Sequence, residues 1–111
     1  MQLKFFDAGQ LRTAMVLEDP VETPDGQGGF ANSWTERASV WVLLEPAGGR
    51  AELFADRAAV LSTHRIWLRH REDVKPGQRL RRDTRSFRID QAEDADGTRR
   101  YLIVKATEIF A

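Results

Sequence analysis

The sequence predicts a mainly β fold: a small, partly open β-barrel or sandwich of five to six strands with one inserted short helix. Three observations carry this reading. Apolar and polar residues alternate in several short runs, the pattern of half-buried strands. Turn signals stand between those runs, chiefly Pro76-Gly77 and Asp96-Gly97. A helical period appears once, over Arg50–Leu61.

Taken in order, Arg12–Glu18 alternates weakly and reads as a first strand. Asp19–Ser33 holds Pro20, Pro24, Gly26, Gly28 and Gly29, with Val21 and Phe30 as its large apolar residues, and reads as a long Gly/Pro-rich loop over 19–33. Loops of that length in compact domains are usually functional or disordered. Ser39–Leu44 is apolar on both alternating faces, which predicts a central strand covered on both sides. Glu45-Pro46-Ala47-Gly48-Gly49 breaks it. Ala51, Phe54, Ala55, Ala58 and Leu61 then fall on one helical stripe, predicted to pack Phe54, Ala58 and Leu61 against Val42, Leu44 and Ile66.

Period two returns in Thr63–Arg71, with Ile66 and Leu68 on one face and Arg65, Trp67, Arg69 and Arg71 on the other. Lys75-Pro76-Gly77-Gln78 fits a type II turn, proline presetting the second position and glycine supplying positive φ at the third. Arg79–Arg82 is a short edge-like strand or bend. Ser86–Asp90 and Arg99–Lys105 are two further strands, joined by a hairpin at Asp96-Gly97.

At 111 residues the chain reads as a single domain over 1–111 with one core. It has no cysteine, which excludes disulfides, thiolate nucleophiles and zinc ribbons. The first residues lack the apolar stretch of a signal peptide, and no run approaches the ~20 apolar residues of a membrane span, so no membrane association is expected. The charge is neutral overall but sorted. Residues 1–62 carry five basic and nine acidic side chains, residues 63–89 nine and three, and residues 90–111 three and five, giving −4, +6 and −2. A field of that shape steers complementary surfaces together.

No catalytic set emerges. His64 and His70 lie about 20 Å apart on an extended strand, too far to share an ion. Glu93, Asp94 and Asp96 flank a turn, where acids serve solvation and turn chemistry. Asp25-Gly26-Gln27-Gly28-Gly29 lacks the lysine and hydroxyl of a phosphate-binding loop, and no basic residue lies between Thr13 and Glu36. No enzyme activity, cofactor or metal is expected.

The basic segment admits three readings. Its arginines are a solvated strand face that blunts edge pairing; or, with Trp67, Phe87 and Tyr101, a surface for single-stranded nucleic acid as in OB-like barrels; or a protein interface facing an acidic neighbour. Zero net charge argues against a dedicated nucleic-acid binder. The candidate partner interface is Arg65, Trp67, Arg69, Arg71, Arg81, Arg82 and Arg85.

The order of motifs resembles the head–tail joining, or head-closure (stopper), proteins of long-tailed phages and gene transfer agents. Ala8-Gly9-Gln10-Leu11-Arg12 is similar to the family's opening. Asp25–Gly29, Trp34 and Val40-Trp41-Val42 resemble its Gly-rich loop and tryptophan-bearing second strand. Gly49-Arg50-Ala51-Glu52 resembles the start of an inserted helix, Thr63–Arg69 the family's most recognisable stretch, and Arg99–Leu102 its final strand. Arg81, Arg82 and Arg85 make this chain more basic than the family pattern.

The resemblance implies a small β-barrel that forms a ring of six copies, with twelve as the alternative, below the portal and adaptor. Such a ring docks the tail terminator or another tail protein, and double-stranded DNA passes through it transiently. It implies a virion or phage-like particle as the location, after synthesis in the bacterial cytoplasm. The candidate channel loop is then Glu22, Pro24, Asp25, Gly26, Gln27, Gly28 and Gly29.

Overall fold

The structure is a computed structural model that describes residues 8–24, 26, 30–47, 52–54, 57–59 and 62–110. A short 3-10 turn at Ala8–Gln10 leads into strands β1 (Thr13–Pro24), β2 (Phe30–Pro46), β3 (Glu52–Phe54), β4 (Arg57–Ala59), β5 (His64–Arg69), β6 (Arg79–Arg82), β7 (Arg85–Asp94) and β8 (Tyr101–Ile109). Six of them form one antiparallel ring in the order β1-β2-β5-β8-β7-β6, while β3 and β4 pair with each other. Of barrel and sandwich, the chain takes the barrel. The ring closes through a short seam, Val16↔Arg81, Leu17↔Leu80 and Glu18↔Arg79.

Alternation fills the barrel. Met15, Leu17, Val42, Ile66, Leu68, Leu80, Phe87, Ile89, Val104 and Ala106 are all but fully buried, with Val40 and Leu102 completing the cluster. They come from all six ring strands, so no strand can leave without opening the core. Phe87 is the largest fully buried side chain. The His64 ring meets its ring in a T-shaped contact at 5.0 Å between centroids.

Both sequence-read turns form. Gly77 has φ +96° and Gln78 N–H donates to the Lys75 carbonyl, while Gly97 has φ +82° between β7 and β8. The Asp94 carboxylate fixes the second turn by accepting from the N–H groups of Asp96, Gly97 and Arg99.

Three expectations change. The predicted loop over 19–33 is mostly strand: β1 and β2 stay paired from Asp19↔Thr35 to Pro24↔Phe30. Polar composition misled here, because backbone pairing and a few cross-strand contacts suffice to order a hairpin. The predicted helix over 50–61 is absent from the described part of that segment, where Leu53↔Ala58 and Phe54↔Arg57 belong to a β-hairpin. A helix of about twelve residues is marginal without strong packing, and three of the five stripe residues are alanine. The predicted packing of Phe54, Ala58 and Leu61 lies outside the described side chains. Lastly, β2 is not covered on both sides, since Trp41 points outward and is 61% exposed.

Two β-bulges shape the barrel's surroundings. Between Leu17↔Ala38 and Glu18↔Glu36 the extra residue is Arg37; between Ile89↔Ala106 and Gln91↔Lys105 it is Asp90. Bulges bend a strand and redirect a side chain. Beyond the first, β1 and β2 pair only with each other, since β1 contacts β6 no later than Glu18 and β2 meets β5 only from Val42. The six ladder pairs from Asp19↔Thr35 onward thus form a two-stranded arm of about 20 Å at ~3.3 Å per residue. No helix among the described residues is long and apolar enough to cross a membrane.

Candidate assembly surface

Where the arginines of the basic segment go decides what surface remains for a partner. Glu18, only 5% exposed, sits on the closing seam and accepts from Nε of both Arg79 and Arg81. Arg81 also reaches Glu36 at 3.3 Å, and the Arg79 guanidinium lies 4.3 Å over the Trp34 ring. Arg85 grips Glu108 through two hydrogen bonds of 2.8 and 3.0 Å, and Arg71 grips Asp73 through two of 2.9 Å. Planar forks of this kind are the strong form of the ion pair. The Arg85 fork holds the Glu108 carboxyl below its usual range, and the Arg71 fork does the same for Asp73.

The base of the arm is tied down similarly. Gln78 is buried, accepts from Lys75 N–H, and donates to the Asp19 carboxylate and the Asp73 carbonyl, each at 2.8 Å. Arg37, the bulge residue, donates to Asp19 at 2.7 Å. These donors, Gln78 foremost, hold Asp19 below the ordinary carboxylate range. At the other bulge, burial works against ionisation of Asp90. Hydrogen bonds from Thr107, Arg88 and Ser62 outweigh it and lower its pKa.

The sequence-named interface therefore divides. Arg71, Arg81 and Arg85 are committed to carboxylates of the same chain. Trp67 lies on the outer face as expected, yet it is only 8% exposed, flanked by Leu43 and Ile103 in the ladder, with its indole N–H donated to Glu45 at 2.7 Å. Arg65, Arg69 and Arg82 are exposed and make no ion pair among the described residues. Of the channel-loop candidates, Glu22 is exposed on β1, Pro24 ends β1, and Gly26 is exposed with φ +79° and open space around it. Asp25, Gln27, Gly28 and Gly29 lie outside the described residues.

Sequence reasoning missed Glu18, Gln78 and Trp41. The signal for Glu18 was present in Arg79 and Arg81, two cations on one face of a four-residue strand, which need a carboxylate opposite once the barrel closes. His64 Nδ1 is hydrogen-bonded to the Thr63 hydroxyl at 2.8 Å, and no group of three His, Asp or Glu side chains among the described residues could hold a metal ion.

A packed six-stranded barrel with a filled core and many of its charges joined in ion pairs has the build of a structural module whose surface is left for contacts with other molecules. The family model for phage head completion protein matches residues 6–109, and the chain belongs to that family. It is accordingly a structural protein of head–tail particles. Among solved structures, a chain in the virion of the native gene transfer agent (GTA) particle is 28% identical with a TM-score of 0.65, the match covering 91% of this chain and 97% of that one. Protein SF1141 from Shigella flexneri 2a is 22% identical with a TM-score of 0.65 over 93% and 96% of the two chains, a likeness of fold. No curated protein matches.

Proposed function

We propose that this chain is a head-closure component of a phage or gene transfer agent particle. Copies of it form a ring between the portal or adaptor and the tail, narrow the DNA channel, and present the surface on which a tail protein docks. The observation that carries the reading is the match to a chain of the native gene transfer agent virion across nearly the whole length of both. The β1–β2 arm gives it a physical means: a projecting hairpin with an anchored base and a short tip reaches into a lumen where several copies meet. Glu22 and Asp25 near that tip repel DNA that must later pass.

The partner surface in this reading is narrower than the basic segment: Arg65, Arg69 and Arg82 remain available to an acidic neighbour. The same division disfavours the OB-like reading, in which a run of free cations would track a nucleic-acid backbone.

The test replaces residues 25–29 with Asn-Gly, a two-residue turn suited to closing an antiparallel ladder. Expected are normal folding and normal tail joining, with DNA lost from filled heads before tails attach, measured as nuclease sensitivity of tail-less particles. Retention equal to the parent overturns the plug and leaves a connector.

A further inference from the structure

Three large apolar side chains stand exposed among the described residues: Trp41 at 61%, Ile109 at 42% and Phe110 at 82%. Scattered singly, exposed apolar groups need no explanation. Here they sort into a hollow and a projection. Trp41 borders a groove of about 750 Å³ whose walls include Leu11, Arg12, Leu68, Arg69 and His70, with no acidic side chain in the lining. Phe110 follows the last ladder pair of β8, Ser86↔Ile109, and so extends beyond the sheet.

The two features lie at opposite ends of the barrel. Arg69, in the groove wall, pairs with Tyr101 at the start of β8, and Ile109 ends the same strand eight residues later. At ~3.3 Å per residue that is about 26 Å, so a molecule cannot place its own Phe110 in its own groove. We propose that the groove receives Phe110 of a second copy of this chain. The groove suits an aromatic guest: exposed Trp41 offers a ring to stack on, Leu11 an apolar edge, and the guanidinium of Arg69, which makes no ion pair among the described residues, a cation for the face of the ring. A hollow and a projection at opposite ends of one body make a heterologous contact, the type that propagates head to tail and closes into rings. The inference rests on the ring reading above and names the contact that would build the ring.

The experiment is sedimentation velocity on the full chain over a concentration series, with Trp41→Ala and Phe110→Asp as variants. Both sites are exposed, and far-ultraviolet circular dichroism verifies that each variant folds. The wild type is expected to self-associate and each variant to sediment as a monomer. An equimolar mixture of the two variants should recover a dimer and nothing larger. It contains one intact groove, on the Phe110→Asp protein, and one intact Phe110, on the Trp41→Ala protein. Trp41→Phe, which keeps an aromatic wall, should restore association.

Wild-type-like rings from both single variants refute the docking while sustaining the ring. A mixture that stays monomeric refutes the docking as well. A wild type that remains monomeric up to about 1 mM, the weak end of specific association, overturns the contact and leaves the ring reading to the DNA-retention test.

Discussion

Removing the Glu18 carboxylate should unlatch the barrel. Glu18 is nearly excluded from water and accepts from two guanidinium groups across a seam of three ladder pairs. A hydrogen bond to a charged group contributes about 1.5–3 kcal/mol, and deleting one member of a buried ion pair costs about 3–5 kcal/mol. The cations here are not fully desolvated: Arg79 and Arg81 keep 22% and 30% of their side-chain surface exposed. Arg81 would also retain Glu36, and Arg79 would retain Trp34. Those reserves place Glu18→Ala at the lower end, about 3 kcal/mol. For a domain near this size each kcal/mol moves Tm by about 4 °C or more, so a fall of roughly 12 °C or more is expected.

Glu18→Gln keeps an acceptor without the charge and should fall between Glu18→Ala and the parent. Arg69→Ala, at an exposed cation that makes no ion pair among the described residues, should stay within ~0.5 kcal/mol. Denaturant unfolding measures all three. Hydrogen exchange locates the effect, with the amides of Leu17 and Leu80 losing protection before those of Ile66 and Val104 in β5 and β8. A Glu18→Ala protein within about 1 kcal/mol of the parent would refute the reasoning and assign the seam to backbone pairing and Leu17–Leu80 burial.

Two further predictions concern the other bonded carboxylates and the exposed arginines. Asp19, Asp73, Asp90 and Glu108 have folded pKa values below their ordinary 3.8 or 4.5. Their stabilisation is therefore complete above those values and is lost as pH falls through the depressed folded ones. The urea midpoint should be flat from pH 7 to about 5 and decline below about 4.5, with a shallower decline in Glu108→Gln; a level midpoint from pH 5 to 3 would contradict this. Arg65→Glu with Arg82→Glu, both outside the groove, should leave Tm nearly unchanged, because exposed charges contribute about 0–1 kcal/mol, yet reduce the yield of tail-bearing particles. Normal particle yield would remove these arginines from the partner surface. Arg71 is left out of that variant because its fork on Asp73 would confound folding with docking.

The barrel core was readable because its cause is local and periodic. Ile66 and Leu68 alternate with Arg65 and Arg69, and that alternation alone fixes which face turns inward. The turns at Gly77 and Gly97 were readable because positive φ selects glycine. The arm was not. Nothing between Asp19 and Ser33 has an apolar period, and its order depends on distant partners: Gln78 and Arg37 on Asp19, and Arg79 over Trp34. The segment over 50–61 misled for the opposite reason, because a helical spacing of mostly small residues carries little burial to enforce it. Trp67 and Trp41 exchanged roles through context. Both lie on the outer face, but Trp67 sits mid-sheet with Leu43 and Ile103 beside it, whereas Trp41 borders the groove near the end of the β2–β5 pairing.

The sorted charge follows from topology. Strands β1 and β6 are far apart in sequence and meet through only three pairs, too few for the ladder to define its own register. An acidic β1 and a basic β6 supply the missing specification. With Glu18 between Arg79 and Arg81, a one-residue slip would turn both arginines toward the core. A two-residue slip toward the Gly77 turn would leave Glu18 opposite Gly77, one arginine short. The −4 and +6 segments thus meet in space across the seam, where Glu18 takes Arg79 and Arg81 and Glu36 takes Arg81. Among the described residues Arg12, Arg65, Arg69, Lys75, Arg82 and Arg99 make no ion pair, and Trp41 and Phe110 stand exposed, so these groups are left over for contacts outside the chain. Under the proposed head-closure role, tying Arg71, Arg79, Arg81 and Arg85 to carboxylates of the same chain breaks up what would otherwise be one continuous cationic field.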